Sequence, residues 1–471
     1  MLSEDILYLS VRELGDRIRT GKLSSVELAE SYLERSATIG PKLNAYATIT
    51  HDLALEQARA AEKEIAGGNY RGPLHGIPYA AKDLVAVAGY PTTWGARPFA
   101  NQKFDNNATV IERLNRAGAV LIGKAAMIEL AGGLGYSAGN ASLTGGARNP
   151  WNTDCWTCGS SSGSGAIVAA GLAPWAIGSD TRGSILCPSA WCGVSGMRPS
   201  FGRVSRHGVM AIAWSMDKLG PMARTADDCG LVLSVMAGHD PLDHDSLPAS
   251  RADFRYSGPP SDARGLRIGV LTNAWDHLEP SVGALLSAGL KVMEQAGAKI
   301  SDVAIPDGPY EQAAELTILI ESVAAFQDLI VSGRCAELID PVGQVNGYAS
   351  MEFSAADYLQ VQRVRAILQK KIDALFDSYD VLATVGESSA AEPLNAPPEE
   401  DSAGPIEERA PDGISSLCGL PALSVPCGLN EKKLPLGLQF IGRALNDRAV
   451  VEAAAVFQSR TEWHRMRPPV S

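Results

Sequence analysis

Three short segments hold the residues best suited to chemistry: a lysine after an apolar run and two loops rich in glycine and serine. Lys82 follows residues 76–81, the first loop spans residues 158–165, and the second spans residues 178–184. Burial lowers the pKa of a lysine, and the neutral amine can then accept a proton from a serine hydroxyl. Glycines let backbone amides approach a developing oxyanion. The combination is typical of serine chemistry with a lysine base, although Lys82 alone is more simply interpreted as a surface residue at a strand end.

Other motifs in these segments are weaker. Residues 159–163 fit the nucleophile elbow of α/β-hydrolases, with Ser161 as the nucleophile and histidines downstream. That elbow follows a strand directly, whereas residues 149–154 have the composition of a loop. Residues 118–125 fall short of a phosphate-binding loop because Ala125 lacks the hydroxyl that would bind a metal ion. A flexible linker is disfavoured because apolar segments flank the first loop on both sides.

Composition excludes several classes of function. The 471 residues include 41 Lys and Arg against 53 Asp and Glu, a net charge of −12, which argues against direct binding of nucleic acid. An apolar fraction of 45% excludes disorder of the whole chain. The N-terminus does not have the pattern of a secretory signal, and the longest apolar stretch, residues 166–178, is too short to span a bilayer. We therefore expect a cytoplasmic protein that does not bind membranes.

The chain has eight cysteines, and a reducing compartment keeps such cysteines as thiols. Cys155 and Cys158 have the spacing of a redox or zinc pair, but Cys187 and Cys192 have four residues between them instead of two. A zinc site built from two such pairs is therefore disfavoured. We predict buried thiols and no metal.

Hydrophobic periodicity and helix-end signals predict an α/β protein. The first seventy residues have helical patterns, with Ser10 and Ser24 each followed three residues later by Glu, as in a capping box. Further on, helices alternate with short apolar strands. The clearest units are a helix over residues 107–117 with Gly118 as its cap, and a helix over residues 281–296 followed by Gly297. This alternation predicts a largely buried sheet.

Two polar, proline-containing segments are predicted to be surface connections, at residues 240–265 and 387–413. The second carries five prolines and is long for a loop in a compact protein. Such a loop either lines a functional site or extends into solvent without contacting one, and the sequence favours neither alternative.

Five ordered blocks resemble those of the amidase signature family, and the resemblance extends over nearly the whole chain. They lie at residues 72–83, 159–161, 178–185, 192–205 and 419–439. The resemblance implies an α/β fold in which a large mixed, mostly buried β-sheet is surrounded by many α-helices.

We expect one amidase-signature domain over residues 1–471. Its parts are N-terminal helices over residues 1–70, a signature core over residues 73–235, and a helical region over residues 310–380 near the substrate pocket.

The resemblance also implies a Ser-cisSer-Lys triad. Ser184 corresponds to the nucleophile, Ser160 to a bridging serine with a cis peptide bond, and Lys82 to the base. The backbone amides implied for the oxyanion hole are those of Thr181, Arg182, Gly183 and Ser184. Ser161 and Asp180 are expected to support this set.

Four positions depart from the family pattern. Cys158, Ser162 and Arg182 stand where glycine is usual, and Leu186 stands where many members have arginine. One hypothesis is that Arg182 supplies the missing cation, either to keep Lys82 neutral or to contact the substrate. The alternative is that its side chain points to solvent and only its amide matters.

The function implied is that of an amidohydrolase that cleaves a small-molecule amide or carbamate, with urethanes and esters included, through an acyl-enzyme. No metal or organic cofactor is expected, and a homodimer is left open. The alternative is the glutaminase (A) subunit of a glutamyl- or aspartyl-tRNA amidotransferase, which acts with partner subunits. Pocket walls are predicted at residues 130–140 and 310–358 and in the loop near Pro397.

Overall fold

The computed structural model describes residues 2–135, 137–274, 278–395 and 410–470, and within them eleven strands form one mixed sheet. A two-stranded hairpin lies apart from it. The predicted α/β fold with a large, mostly buried sheet is confirmed. The strands are β1 (Tyr46–Ile49), β2 (Pro78–Lys82), β3 (Val120–Ala125), β4 (Arg148–Asn149), β5 (Asn152–Trp156), β6 (Trp175–Asp180), β7 (Ser195–Arg198), β8 (Lys218–Ala223), β9 (Arg267–Leu271), β10 (Lys299–Val303), β11 (Val381–Val385), β12 (Ala422–Leu429) and β13 (Pro435–Gly442).

Strand order in the large sheet is β1-β3-β2-β6-β8-β7-β12-β13-β11-β9-β10. Strands β3, β2 and β6 run parallel to one another, whereas β8, β7, β12 and β13 alternate in direction. Most strands are buried along their whole length, which matches their nearly continuous apolar sequences.

Helices cover the sheet. They are α1 (Glu4–Leu7), α2 (Val11–Arg19), α3 (Ser25–Leu43), α4 (His51–Ala66), α5 (Thr109–Ala117), α6 (Ser162–Ala169), α7 (Leu186–Cys192), α8 (Ala226–Met236), α9 (Ala249–Ala252), α10 (Pro280–Gln295), α11 (Tyr310–Ala325), α12 (Gln327–Val331), α13 (Pro341–Ser350), α14 (Ala355–Asp373), α15 (Ala410–Leu417) and α16 (Asp447–Ser459). Short 3-10 turns lie at Arg97–Phe99, Glu129–Gly132, Arg334–Glu337, Ala374–Asp377 and Trp463–Arg465. No helix in the described ranges is both long and apolar enough to cross a membrane.

Helix ends follow the predicted signals closely. Ser10 forms a complete capping box at α2, while Ser24 accepts a hydrogen bond from the Glu27 amide at 3.1 Å. Gly118 ends α5 in the left-handed region at φ 76°, and Gly297, with φ 101°, follows α10. Each of these last two helices leads directly into a strand, as predicted.

The structure differs from the sequence analysis in two local elements. Residues 46–49 form β1, which pairs antiparallel with the edge of β3, although the surrounding residues are helical. Residues 149–154, predicted as a loop, belong to the β4–β5 hairpin. There the Asn149 side chain accepts a hydrogen bond from the Trp151 amide at 3.0 Å, so polar turn residues join two short strands.

Both proline-containing segments lack long regular structure where they are described. Residues 240–265 contain only the short helix α9. In the second segment, residues 396–409 lie outside the described residues, and the wall predicted near Pro397 lies there with them.

Parallel pairing brings the chemistry-bearing segments to one edge of the sheet. In β2 and β6, Ala81 lies opposite Ile177, so Lys82 and Asp180 both lie at the carboxyl ends of neighbouring strands. The loops that follow these ends meet outside the sheet, where α/β proteins commonly bind ligands.

Helix α6 is buried throughout and begins directly after the serine-rich loop. A Cβ atom placed on Gly163 would lie 2.4 Å from the Ala45 carbonyl oxygen and 2.5 Å from the Ala126 nitrogen. Backbone atoms on both sides cannot yield cheaply, so α6 can sit this close to β3 only with glycine at this position.

We therefore expect Gly163→Ala to lower the free energy of unfolding by about 1–3 kcal/mol through overpacking. Gly283→Ala is the matched control, because nothing lies within 4 Å of its added Cβ in helix α10. The control should stabilise the protein by up to about 1 kcal/mol. Urea denaturation of both variants measures the difference, and equal stability of the two would refute this close-packing explanation.

Candidate active site

Lys82 ends strand β2 and is fully buried. Its Nζ atom lies 2.7 Å from Ser160 Oγ, 3.0 Å from Ser161 Oγ and 2.9 Å from Ser179 Oγ. The surface location considered for Lys82 is therefore wrong. Three hydroxyl oxygens surround the amine, and none of these contacts is a carboxylate.

The burial of Lys82 sets its protonation. Removal from water lowers the pKa of Lys82 to about 7, and the charges of Asp180 and Asp217 oppose this shift. The pKa shift is caused by desolvation, and Arg182 is not among the groups that produce it. At neutral pH a substantial fraction of the amine is therefore unprotonated and can act as a base.

The hydrogen bonds of the hydroxyls limit which of them can donate a proton to a neutral Lys82. Ser161 Oγ donates to the Ser179 carbonyl oxygen at 3.1 Å, so toward Lys82 it can only accept. A neutral amine has two N–H donors and one lone pair. Ser160 Oγ, at the shortest distance from Nζ, is positioned to donate its proton to that lone pair.

Two loops carry the candidate serines, and a backbone hydrogen bond joins them. The peptide bond between Gly159 and Ser160 is cis. The Ser161 amide donates to the Ser184 carbonyl oxygen at 3.2 Å. The segments that carry Lys82, Ser160 and Ser184, which together span about a hundred residues of the sequence, thus belong to one local cluster.

Asp180 holds the loop that carries Ser184. Its two carboxylate oxygens accept hydrogen bonds from the amides of Gly183 at 2.9 Å and Ile185 at 2.8 Å, and Arg198 lies 3.2 Å away. Burial raises the pKa of Asp180, but the charge of Arg198 and the two amides outweigh burial and leave this pKa below its usual value. Asp180 therefore remains ionised and fixes the loop from inside.

The same contact changes the expected oxyanion hole. Because the Gly183 amide already donates to Asp180, it is not a free donor, and the amides of Thr181, Arg182 and Ser184 remain the candidates. Thr181 is oriented by its own side chain, which donates to Asp217 at 2.6 Å.

The Arg182 side chain forms an ion pair at the rim of the site. Its guanidinium lies 3.4 Å from a carboxylate oxygen of Glu311, which is 2% exposed at its side chain, against 23% for Arg182. Glu311 also accepts a hydrogen bond from the Gly413 amide at 2.6 Å. Arg182 thus connects the loop of residues 178–184, which carries the candidate nucleophile Ser184, to helices α11 and α15 instead of extending freely into solvent.

The cysteine prediction was wrong at one pair. Cys158 and Cys187 form a disulfide, while Cys155 and five other cysteines are free and buried. Sequence spacing gave no indication, because one partner lies in a loop and the other at the start of helix α7, 29 residues later. Among the described residues, one candidate metal cluster combines these two sulfurs with Glu387, but disulfide sulfurs offer no thiolate to a metal ion.

Sequence analysis also missed two groups that shape the site. Ser179 contacts Lys82 directly, and its position just before Asp180 on β6 was the available signal. Asp83 and Lys124 form a fully buried ion pair at 2.9 Å, one residue beyond Lys82. That pair gives Lys124 a structural partner and Lys82 a fixed strand end.

Two neighbouring cavities share Trp214, and the first of them borders the site. One, of about 330 Å³, is lined by Thr181 and Trp214. The other, of about 750 Å³, is also lined by Trp214, together with Glu321 and Tyr358 from α11 and α14. The helical region 310–380 thus lines the second cavity, next to the one that borders the site, and its contact with substrate remains a prediction.

Comparison with known proteins gives matches over nearly the whole chain. The model of the family described as Amidase matches residues 27–451. The (A) subunit of the glutamyl-tRNA(Gln) amidotransferase of Moorella thermoacetica is 36% identical over 490 residues, which cover 98% of this chain and 99% of that protein.

Solved structures match equally widely. The native peptide amidase of Stenotrophomonas maltophilia has a TM-score of 0.83 and 30% identity, with 98% of both chains covered. A structure described as part of a vestigial protein complex, which reveals the origins of an s-triazine catabolic enzyme, has a TM-score of 0.87 and 29% identity, with 96% of this chain and 98% of that chain covered.

The pKa of Lys82 predicts the pH dependence of activity. Since the lowered pKa makes the amine neutral only above about 7, kcat/KM should fall about tenfold per pH unit below that value. Lys82→Met should lose about 10²–10⁴-fold in rate because no base remains. A pH–rate profile from pH 5 to 9 measures this limb, and a flat profile over that range would contradict a lysine base.

The Arg182–Glu311 pair makes a separate prediction about stability. Arg182→Ala leaves a buried carboxylate without its guanidinium partner and should cost about 1–3 kcal/mol in unfolding free energy. Combining it with Glu311→Gln should recover part of that loss. A double-mutant cycle in urea measures the coupling, and strictly additive losses would show that the pair contributes nothing.

Proposed function

Because the chain belongs to the amidase family, a hydrolase family that acts on carbon–nitrogen bonds, we propose that it cleaves carboxamides through an acyl-enzyme on Ser184. The observation that carries the proposal is the contact of 2.7 Å between the buried Lys82 amine and Ser160 Oγ, in a cluster that also holds Ser184. A neutral lysine and a bridging hydroxyl together can activate a second serine.

In the proposed reaction Ser160 passes its proton to Lys82 and takes the proton of Ser184. The Ser184 alkoxide attacks the amide carbonyl carbon, and the carbonyl oxygen becomes an oxyanion that the amides of Thr181 and Arg182 can stabilise. Reversal of the relay delivers a proton to the leaving nitrogen as the carbon–nitrogen bond breaks. Water then attacks the acyl group, with the same relay accepting its proton, and Ser184 is regenerated.

For the substrate, the proposal places the glutaminase function first. The relative in Moorella thermoacetica is named as the (A) subunit of a glutamyl-tRNA(Gln) amidotransferase, and the match extends over almost the full length of both proteins. In this form the chain would hydrolyse the side-chain amide of glutamine and release ammonia to partner subunits. Contact with tRNA would then belong to those partners, which agrees with the net charge of −12.

A small-molecule amide or carbamate is the second candidate. It is supported by the departures at the nucleophile loop, where Arg182 and its partner Glu311 place charges beside the candidate oxyanion amides. It is also supported by the similarity to a peptide amidase and to a protein connected with s-triazine catabolism.

Purified protein tested against glutamine, an aryl amide, a primary alkyl amide and a carbamate separates the two candidates. The glutaminase assignment predicts glutamine turnover that rises when the other subunits of such an amidotransferase are added, and slow hydrolysis of the other compounds. Rapid aryl amide or carbamate hydrolysis by the isolated chain, with no response to partners, would overturn it in favour of the second candidate.

Variants test the shared chemistry whichever substrate is found. Ser184→Ala should abolish turnover while the circular dichroism spectrum stays native. Ser162→Ala is the matched control, since its buried hydroxyl, two residues from Ser160, has no hydrogen-bond partner among the described residues. Full activity of Ser184→Ala would end the acyl-enzyme proposal.

A further inference from the structure

The Cys158–Cys187 disulfide connects the two loops that carry the candidate serines. Cys158 lies two residues before Ser160, and Cys187 lies three residues after Ser184 on the first turn of α7. Both side chains are buried, with 7% exposure each. The covalent link therefore joins the segment just before Ser160 to the segment just after Ser184.

Each end of the link is tied firmly into its own loop. The Cys187 amide donates to the Gly183 carbonyl oxygen at 2.9 Å, inside the nucleophile loop. Cys158 joins directly to the Gly159–Ser160 segment. A displacement at either cysteine would therefore be passed on to the serine beside it.

Within the described part of the chain, the hydrogen bonds between the same two segments involve Ser161. Its amide donates to the Ser184 carbonyl oxygen at 3.2 Å, its hydroxyl donates to the Ser179 carbonyl oxygen at 3.1 Å, and the same hydroxyl accepts from the Ser179 amide at 3.2 Å. Only the first of these contacts reaches the residue that carries the nucleophile. The disulfide thus adds a covalent link beside the hydrogen bond between the Ser161 amide and the Ser184 carbonyl oxygen.

The backbone at Cys158 supplies an independent argument. Its φ is 62°, in the left-handed region that favours glycine. A residue with a Cβ atom is disfavoured there by about 1–2 kcal/mol. A cysteine at this position is explained if its side chain does something that glycine cannot do, and here it forms the cross-link.

We propose that Cys158 and Cys187 are positioning residues, whose disulfide holds Ser160 against Ser184 so that the proton relay can operate. This inference rests on the proposed acyl-enzyme function. Proton transfer along two successive hydrogen bonds requires short distances, and a displacement of about 1 Å can cost about 10²-fold in rate. After reduction, only hydrogen bonds hold the two segments together. The serines can then move apart, and proton transfer between them becomes slower.

Reduction by dithiothreitol tests the proposal. The disulfide takes two electrons and two protons from the dithiol and becomes two thiols, while dithiothreitol becomes its cyclic disulfide. Thiol titration of the denatured protein should rise from six to eight of the eight cysteines. Eight thiols before reduction would overturn the proposal at once.

Two substrates with the same acyl group separate positioning from general loss of structure. The relay activates Ser184 toward both substrates, but only the anilide also needs its leaving nitrogen protonated by the relay, because p-nitrophenolate leaves without a proton. We expect reduction to lower kcat for the anilide by tenfold or more, to lower kcat for the ester by much less, and to be reversed on reoxidation. A fall of equal size for both, or lower thermal stability with an unchanged anilide-to-ester ratio, would show a merely structural role.

Variants complete the design. Cys158→Ala/Cys187→Ala should have the anilide-to-ester ratio of the reduced protein and no response to dithiothreitol; a ratio equal to that of oxidised wild type would refute the proposal. If that variant does not fold, reduction of the wild-type protein remains the deciding measurement. Cys192→Ala is the matched control, since this buried free cysteine lies on the same helix as Cys187, and it should keep the wild-type response.

The two proposals fail in different ways. Full activity of Ser184→Ala would remove the acyl-enzyme function itself. An inactive Ser184→Ala together with an anilide-to-ester ratio that does not change on reduction would remove only the positioning role of the disulfide.

Discussion

The proposed chemistry depends on keeping the amine of Lys82 out of water. A lysine in water holds its proton at neutral pH and cannot act as a base, whereas burial beneath three serine hydroxyls brings its pKa to about 7. Hydroxyls suit this purpose better than carboxylates, because an adjacent negative charge would stabilise the ammonium form. Asp180 and Asp217 are near enough to oppose the shift, yet each is occupied elsewhere: Asp180 with Arg198 and loop amides, and Asp217 with Thr181 and the Ile212 amide.

The rest of the fold keeps that amine in place. Parallel pairing of β2 with β6 puts Lys82 and Asp180 at the same sheet edge, and the buried Asp83–Lys124 pair fixes the strand end from the side of β3. Helix α6 can approach this edge because Gly163 leaves room against the backbone of Ala45 and Ala126. Strand order, a buried ion pair and one glycine thus all help to fix the position of Lys82.

The sequence was sufficient to predict elements that are determined by residues close together in the chain. Gly118 ends its helix as predicted, because a left-handed cap requires only one residue, a glycine. The serine-rich blocks were recognisable by their order and spacing in the sequence. Sequence reasoning missed what depends on partners distant in sequence. The disulfide joins residues 29 apart, one in a loop and one in helix α7, and Glu311 contacts Arg182 across more than a hundred residues. Strand β1 was missed because four residues between two helices become a strand only through pairing with β3.

We propose that Lys82 loses its proton near pH 7, and its own titration tests this most directly. In protein labelled with ¹³C at the lysine Cε positions, the signal absent from Lys82→Met identifies this residue, and its chemical shift reports protonation. The account predicts a midpoint of about 7. A signal that stays at the protonated position up to pH 10 would contradict it, and the base would then have to be sought elsewhere.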